Sequence, residues 1–198
     1  MAMRIIGGKA ARLELTVPLG IAVRPTTGRA REALFNSLGD FTGAIVYDLC
    51  AGSGAMGLEA ASRGAAHVVM VEADTTHCRV IENNIAKVRN CGVDSKLEVI
   101  CADICAARFF RHSDCPNLIF ADPPYAESSR IFNILLNTKN FCEWAHQALL
   151  VWEIPDIPGV RGEMLHCPYL DTISRTFGAT DFLLARFKDN SGKLYGDA

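Results

Sequence analysis

No apolar run in these 198 residues approaches the roughly 18 that would cross a bilayer, and the first 15 positions hold no uninterrupted apolar stretch like that of a secretory leader. The chain is therefore expected to be soluble, unexported, without a membrane partner and cytoplasmic. No Cys-x-x-Cys pair occurs among the eight cysteines, and the five histidines show no ligand spacing, so a metal centre is not expected. Most thiols lie in apolar stretches, as Cys50 and Cys142 do, and are read as buried and unpaired in a reducing compartment. The sparse hydrophobicity of disordered chains is missing too. Hydrophobic residues make up 49% and charged residues 21%, enough to close one core in a chain of single-domain length. There is no internal repeat and no low-complexity linker.

A large net charge is also lacking, at −2, but its distribution is uneven. Residues 1–31 carry Arg4, Lys9, Arg12, Arg24, Arg29 and Arg31 against one acid, Glu14, an excess of five positive charges that leaves seven negative ones on the rest. A basic arm on an acidic body can approach a polyanion locally. A solvated N-terminal face reads equally well from charge alone.

Residues 3–6 and 12–17 flank Gly7-Gly8-Lys9 and read as a short hairpin. Thr26 or Thr27 can cap a helix with Ala30, Ala33, Leu34 and Leu38 on its apolar face and Arg29, Arg31, Glu32 and Asn36 on the other. From residue 44 on, short apolar runs at 45–49, 68–71, 97–100, 118–121 and 149–154 alternate with stretches of helical period, one carrying Cys78, Ile81, Ile85 and Val88. Near-continuous apolar strands between helices predict a parallel sheet covered on both faces. Runs at 171–176 and 182–187, joined through 177–181, predict an antiparallel hairpin at one edge. The expected architecture is α/β, Rossmann-like and doubly wound: a mostly parallel seven-stranded sheet with a C-terminal hairpin and an N-terminal hairpin and helix extension. We divide it into an extension (1–39), a core domain (40–188) and a polar tail (189–198).

Two segments carry chemistry. Asp48-Leu-Cys-Ala-Gly52-Ser53-Gly54-Ala-Met-Gly57 lies where the first parallel strand turns into its helix, and its glycines satisfy G-x-G-x-x-G. Glycine there allows close backbone approach to a ligand, and Glu72, ending the next strand, is placed to accept from ribose hydroxyls. That predicts an adenosine-containing ligand. Asp48 would repel a pyrophosphate but attract the ammonium of a methionine moiety, which favours S-adenosylmethionine over NAD. A turn-capping role for Asp48 reads as an alternative.

The second segment is Asp122-Pro123-Pro124-Tyr125, closing an apolar strand. Two prolines make a stiff turn that offers carbonyl acceptors without amide donors. An amine awaiting methylation needs acceptors for its hydrogens, which Asp122 and the Pro123 carbonyl can supply, while Tyr125 can stack on the base bearing that amine. The same tetrad suits guanine N2, adenine N6, cytosine N4 or a protein glutamine amide.

Taken in order, Met3-Arg-Ile-Ile-Gly-Gly-Lys9, Arg24-Pro-Thr-Thr, Arg31-Glu-Ala-Leu-Phe-Asn36, Asp48-Leu-Cys-Ala-Gly-Ser-Gly54 and Ala121-Asp-Pro-Pro-Tyr125 resemble the RsmD family of class I methyltransferases. Cys50 stands where that family usually has Phe, and the resemblance fades beyond residue 155. It implies methylation of the exocyclic N2 of a guanine in bacterial small-subunit rRNA, on naked rRNA or a subunit assembly intermediate, by a monomer. It further implies that Asp48, Ala51, Gly52, Ser53, Gly54, Glu72, Ala73, Asp103 and Ile104 hold S-adenosylmethionine. Asp103 can equally cap the turn that begins at Ile104. Asp122, Pro123, Pro124 and Tyr125 are the catalytic candidates, and Arg24, Arg29 and Arg31 the candidates for RNA contact.

Overall fold

The computed structural model describes residues 3–18, 28–106, 110 and 114–188. Its strands are β1 (Ile45–Leu49), β2 (His67–Glu72), β3 (Lys96–Cys101), β4 (Leu118–Ala121), β5 (Leu149–Ile154), β6 (Leu170–Phe177) and β7 (Thr180–Phe187). Its helices are α1 (Gly28–Leu38), α2 (Ala55–Ser62), α3 (Thr75–Arg89), α4 (Tyr125–Leu136), α5 (Lys139–Ala145) and α6 (Val160–Leu165). The strands form one sheet in the order β3-β2-β1-β4-β5-β7-β6, parallel through β5 and antiparallel in the last two. Strand order reverses between β1 and β4. A crevice outside the carboxyl ends of the strands opens at such a reversal, and ligands bind there.

Period-two alternation sorts the apolar strand residues to the two faces. Val46, Val68, Met70, Phe120 and Val151 join one cluster with α1, α2 and α3, and Tyr47, Val69, Val71, Ile119 and Trp152 join the other with α4 and α5. In α3 the stripe Cys78, Ile81, Ile85 and Val88 is buried, and Asp74 caps the helix by accepting from the amides of Thr76 (2.7 Å) and His77 (3.1 Å).

Four expectations need correction. The N-terminal hairpin is shorter than expected, one bridge from Arg4 to Glu14 with backbone bonds from the Ile5 amide to the Leu13 carbonyl, the Leu15 amide to the Met3 carbonyl and the Arg12 amide to the Ile5 carbonyl, and the Ile6 and Gly7 amides donate instead to the Glu59 carboxylate of α2, at 2.7 and 2.8 Å. Ser62 adds to this attachment, donating to the Gly7 carbonyl (2.6 Å) and accepting from the Ala10 amide (2.9 Å). The buried face of α1 is Ala30, Arg31, Leu34 and Phe35, so Arg31 lies on the packed side and not the solvated one. The C-terminal connection is only Gly178-Ala179, with Gly178 at φ +64, as a two-residue hairpin turn demands. Finally, of the eight free cysteines only Cys78 is buried, while Cys91, Cys101 and Cys115 are exposed, Cys101 because it ends an edge strand. The proposed caps Thr26 and Thr27 and the tail from 189 on lie outside the described residues.

Candidate active site

A cavity of about 830 Å³ opens at the carboxyl ends of β1, β2, β4 and β5. The glycine turn forms one wall, and its three glycines do different things. A side chain added at Gly52 would meet nothing within 4 Å, so this backbone faces open space. Gly54, at φ +76, starts α2 and is enclosed by Met70, Ile81 and Leu58, which removes it from the expected ligand wall. Gly57 lets α2 pack on β2, where a Cβ would sit 2.8 Å from Met70 Cγ.

The loop is held by side chains from the neighbouring elements. Glu72 accepts from the Gly52 amide through Oε2 (2.8 Å) and from the Asp74 amide through Oε1 (3.0 Å), with His77 Nδ1 3.6 Å from Oε1. Buried Asn84 donates to the carbonyls of Ser53 (3.0 Å) and Thr16 (2.8 Å) and accepts from the Thr16 amide (2.8 Å), tying the loop to the N-terminal segment. Ala51, Ser53, Ala73 and Ile104 line the cavity. Asp103 is exposed on the cavity wall, and its Oδ1 accepts from the Cys105 amide (2.8 Å), capping a short 3-10 turn over Ile104–Ala106.

Asp48 is 2% exposed, and its Oδ2 accepts from the Gly57 amide at 2.8 Å. Loss of water pushes its carboxyl up to about 7; the Gly57 amide opposes that rise and the charge of Glu72 adds to it. A buried acid whose carboxyl is raised toward neutrality, on the wall of an open cavity, is placed to receive a cation.

Across the reversal, Asp122 follows β4, and Pro123 and Pro124 lead into α4, with the Glu127 amide donating to the Pro124 carbonyl (2.8 Å). The tetrad is thus a helix start as well as a cavity wall. Tyr125 donates its hydroxyl to Glu153 Oε1 at 2.9 Å. Glu153, buried near the end of β5, sits one rung beyond the Ala121–Trp152 register, which brings it beside Asp122 on the same sheet face. Desolvation first, then the charges of Glu153 and Asp48, raise the Asp122 carboxyl above its ordinary range. Asp122 is itself exposed to the cavity, so water there offsets part of that rise until a ligand displaces it.

The three arginines separate. Arg24 lies outside the described residues, and Arg29 is exposed on α1. Arg31 is 3% exposed, donating to Met3 Sδ (2.7 Å) and to the Arg4 carbonyl, and burial lowers its pKa. Packing beneath the N-terminal segment takes Arg31 off the outer surface and leaves it among the residues lining the cavity. Several wall residues escaped the motif reading: Met3 and Val17 from the N-terminal segment, His77 from α3, and above all Glu153. The signal for Glu153 was present, an acid inside the apolar run 149–154 at the end of a central strand, the same oddity that marks Asp48 and Asp122. No group of three or more His, Cys, Asp or Glu able to hold a metal occurs among the described residues. No helix among them is long and apolar enough to cross a membrane.

Residues 3–178 match the model of a family described as Conserved hypothetical protein 95. The chain belongs to this family, the RsmD family. The chain is similar to the Ribosomal RNA small subunit methyltransferase D of Escherichia coli (strain K12), 38% identical over 168 residues and covering 79% of each chain. A solved hypothetical protein of Thermus thermophilus superposes with a TM-score of 0.67 at 27% identity, covering 93% of this chain and 98% of that one. A methyltransferase from Geobacter sulfurreducens, 16% identical and covering 84% of this chain and 80% of its own, shares the fold at a TM-score of 0.59. The family's matched span takes in the glycine turn, the Asp122 tetrad and Glu153, so the whole cavity wall falls within it.

Proposed function

We propose that this chain transfers a methyl group from S-adenosylmethionine to the exocyclic N2 of a guanine in small-subunit rRNA. One observation carries the reading: Asp122-Pro-Pro-Tyr and the Gly52 turn open into the same cavity, so a donor on the turn faces an amine on the tetrad. The residues fit the donor. Gly52 leaves space for a ligand against the backbone, Glu72 offers acceptors to ribose hydroxyls, and Asp48 offers a carboxylate to an ammonium. Bound there, S-adenosylmethionine supplies an electrophilic methyl on a positively charged sulfur.

The chain's own residues prepare the nucleophile. The guanine amine is weakly nucleophilic because its lone pair is delocalised into the ring, so orientation and charge stabilisation provide most of the acceleration. Asp122 and the Pro123 carbonyl accept the amine hydrogens and turn its lone pair toward the methyl. As the N–C bond forms and the C–S bond breaks, the nitrogen becomes acidic and Asp122 takes one proton. No covalent enzyme intermediate is involved.

The base enters from an exposed loop or by leaving its stack. Arg24 and Arg29 meet nearby phosphates, on free rRNA or on a subunit assembly intermediate. The enzyme works as a monomer in the cytoplasm. The decisive experiment maps rRNA methylation by mass spectrometry in cells lacking the protein, restored with wild type or Asp122→Ala. Wild type should return one guanine methyl group and Asp122→Ala should not; equal restoration by both would overturn the assignment.

A further inference from the structure

The amine needs one acid, Asp122, beside the Pro123 carbonyl, yet the cavity wall carries a second acid, Glu153, next to it. Asp122, just past the end of β4, and Glu153 on the neighbouring β5 lie side by side, and both also line a small crevice with Met56, Phe120, Val151 and Phe182. Burying a second acid beside the first is costly, so the arrangement calls for a use. Tyr125 is directed to that second acid: its hydroxyl donates to Glu153 Oε1 at 2.9 Å, which keeps that oxygen an acceptor and fixes the carboxylate at the amine-binding end of the cavity. A carboxylate has about four lone-pair sites and so can accept this bond and others from a ligand.

The bases that carry an exocyclic amine differ in the atom beside it. Guanine places a second donor, the ring N1–H, next to its N2 amine. Adenine places the bare acceptor N1 next to its N6 amine, cytosine the acceptor N3 next to N4, and a glutamine amide has its own carbonyl oxygen there. An edge with two neighbouring donors matches two neighbouring carboxylates. An edge with a donor and an acceptor sets a lone pair against the second carboxylate, and a buried polar mismatch of that kind is where large discrimination arises.

We propose that Glu153 reads the ring N1–H of the target guanine while Asp122 holds its N2 amine, so that the acid pair selects guanine over every base with an acceptor beside its amine. This rests on guanine N2 methylation as the reaction and adds the residue that makes the choice. In this role Tyr125 is a positioning residue, fixing the orientation of Glu153 through its hydroxyl.

The test uses an RNA substrate with guanine or 2-aminopurine at the target position. 2-Aminopurine keeps the N2 amine but has an acceptor at N1. Wild type should bind and methylate the guanine RNA at least tenfold better than the 2-aminopurine RNA, about 1.4 kcal/mol for that ratio. Glu153→Gln, which can turn an amide donor toward N1, should shrink or invert the ratio in both binding and turnover. Equal handling of the two RNAs by wild type would overturn the proposal without any variant, as would a Glu153→Gln enzyme that loses activity on both substrates in proportion. Absence of methylation on the guanine RNA by wild type would instead overturn the underlying reaction, so the two failures are distinct.

Discussion

Binding of S-adenosylmethionine by the wild-type protein should depend on pH, and replacing Asp48 by Asn should abolish that dependence. Asp48 is 2% exposed and its carboxyl is pushed up to about 7. A ligand ammonium prefers the ionised form, so apparent affinity scales with the ionised fraction. At pH 5 that fraction is about one in a hundred and at pH 6 about one in ten, so affinity should fall roughly tenfold per pH unit below 7 and level off above 8. Calorimetry near pH 6 in two buffers of different ionisation enthalpy should also find close to one proton released per ligand bound. The stability of the ligand-free protein should move the opposite way. The unfolded chain loses this proton near pH 4 and the native state near 7, so the native state binds more protons in between, and stability falls as pH rises from 4 to 7, by on the order of 4 kcal/mol if nothing relaxes. A flat affinity profile between pH 5 and 8, or the same slope in Asp48→Asn, would refute the reasoning.

Two further substitutions separate packing from ligand contact. Gly57→Ala drives a methyl to 2.8 Å from Met70 Cγ and should cost about 1–3 kcal/mol in denaturant unfolding, whereas Gly52→Ala enters open space and should cost about 1–2 kcal/mol in left-handed strain while weakening cofactor affinity far more. Glu59→Ala removes acceptors from the Ile6 and Gly7 amides and from Arg63 Nε (2.8 Å), and should lower stability by about 3–5 kcal/mol while opening residues 3–18 to limited proteolysis. An N-terminal segment as protected as in wild type would show that its attachment lies elsewhere.

Local signals account for what was legible in the chain. The five parallel strands stand in the sequence because each is a short apolar run between helical periods, and 118–121 and 149–154 coincide with β4 and β5. The edge hairpin was legible for the same reason, though its turn proved tighter. In the site, the Asp48 to Gly57 turn and the Asp122 tetrad were legible because glycine and proline restrict the backbone within a few residues. The N-terminal segment was only half legible: its alternation reads as a strand, but the partner of its Ile6 and Gly7 amides is a carboxylate on α2.

By itself, the sequence determined a doubly wound α/β chain with a glycine turn and an Asp-Pro-Pro-Tyr tetrad at strand ends, since those features depend on residues a few positions apart. Only the tertiary structure decided that Arg31 is buried under the N-terminal segment, that Gly54 serves packing, and that Glu153 stands beside Asp122. Each of those depends on which strands become neighbours and which side of a helix turns inward. Such adjacency comes from burying apolar surface over the whole sheet, so no single segment carries it.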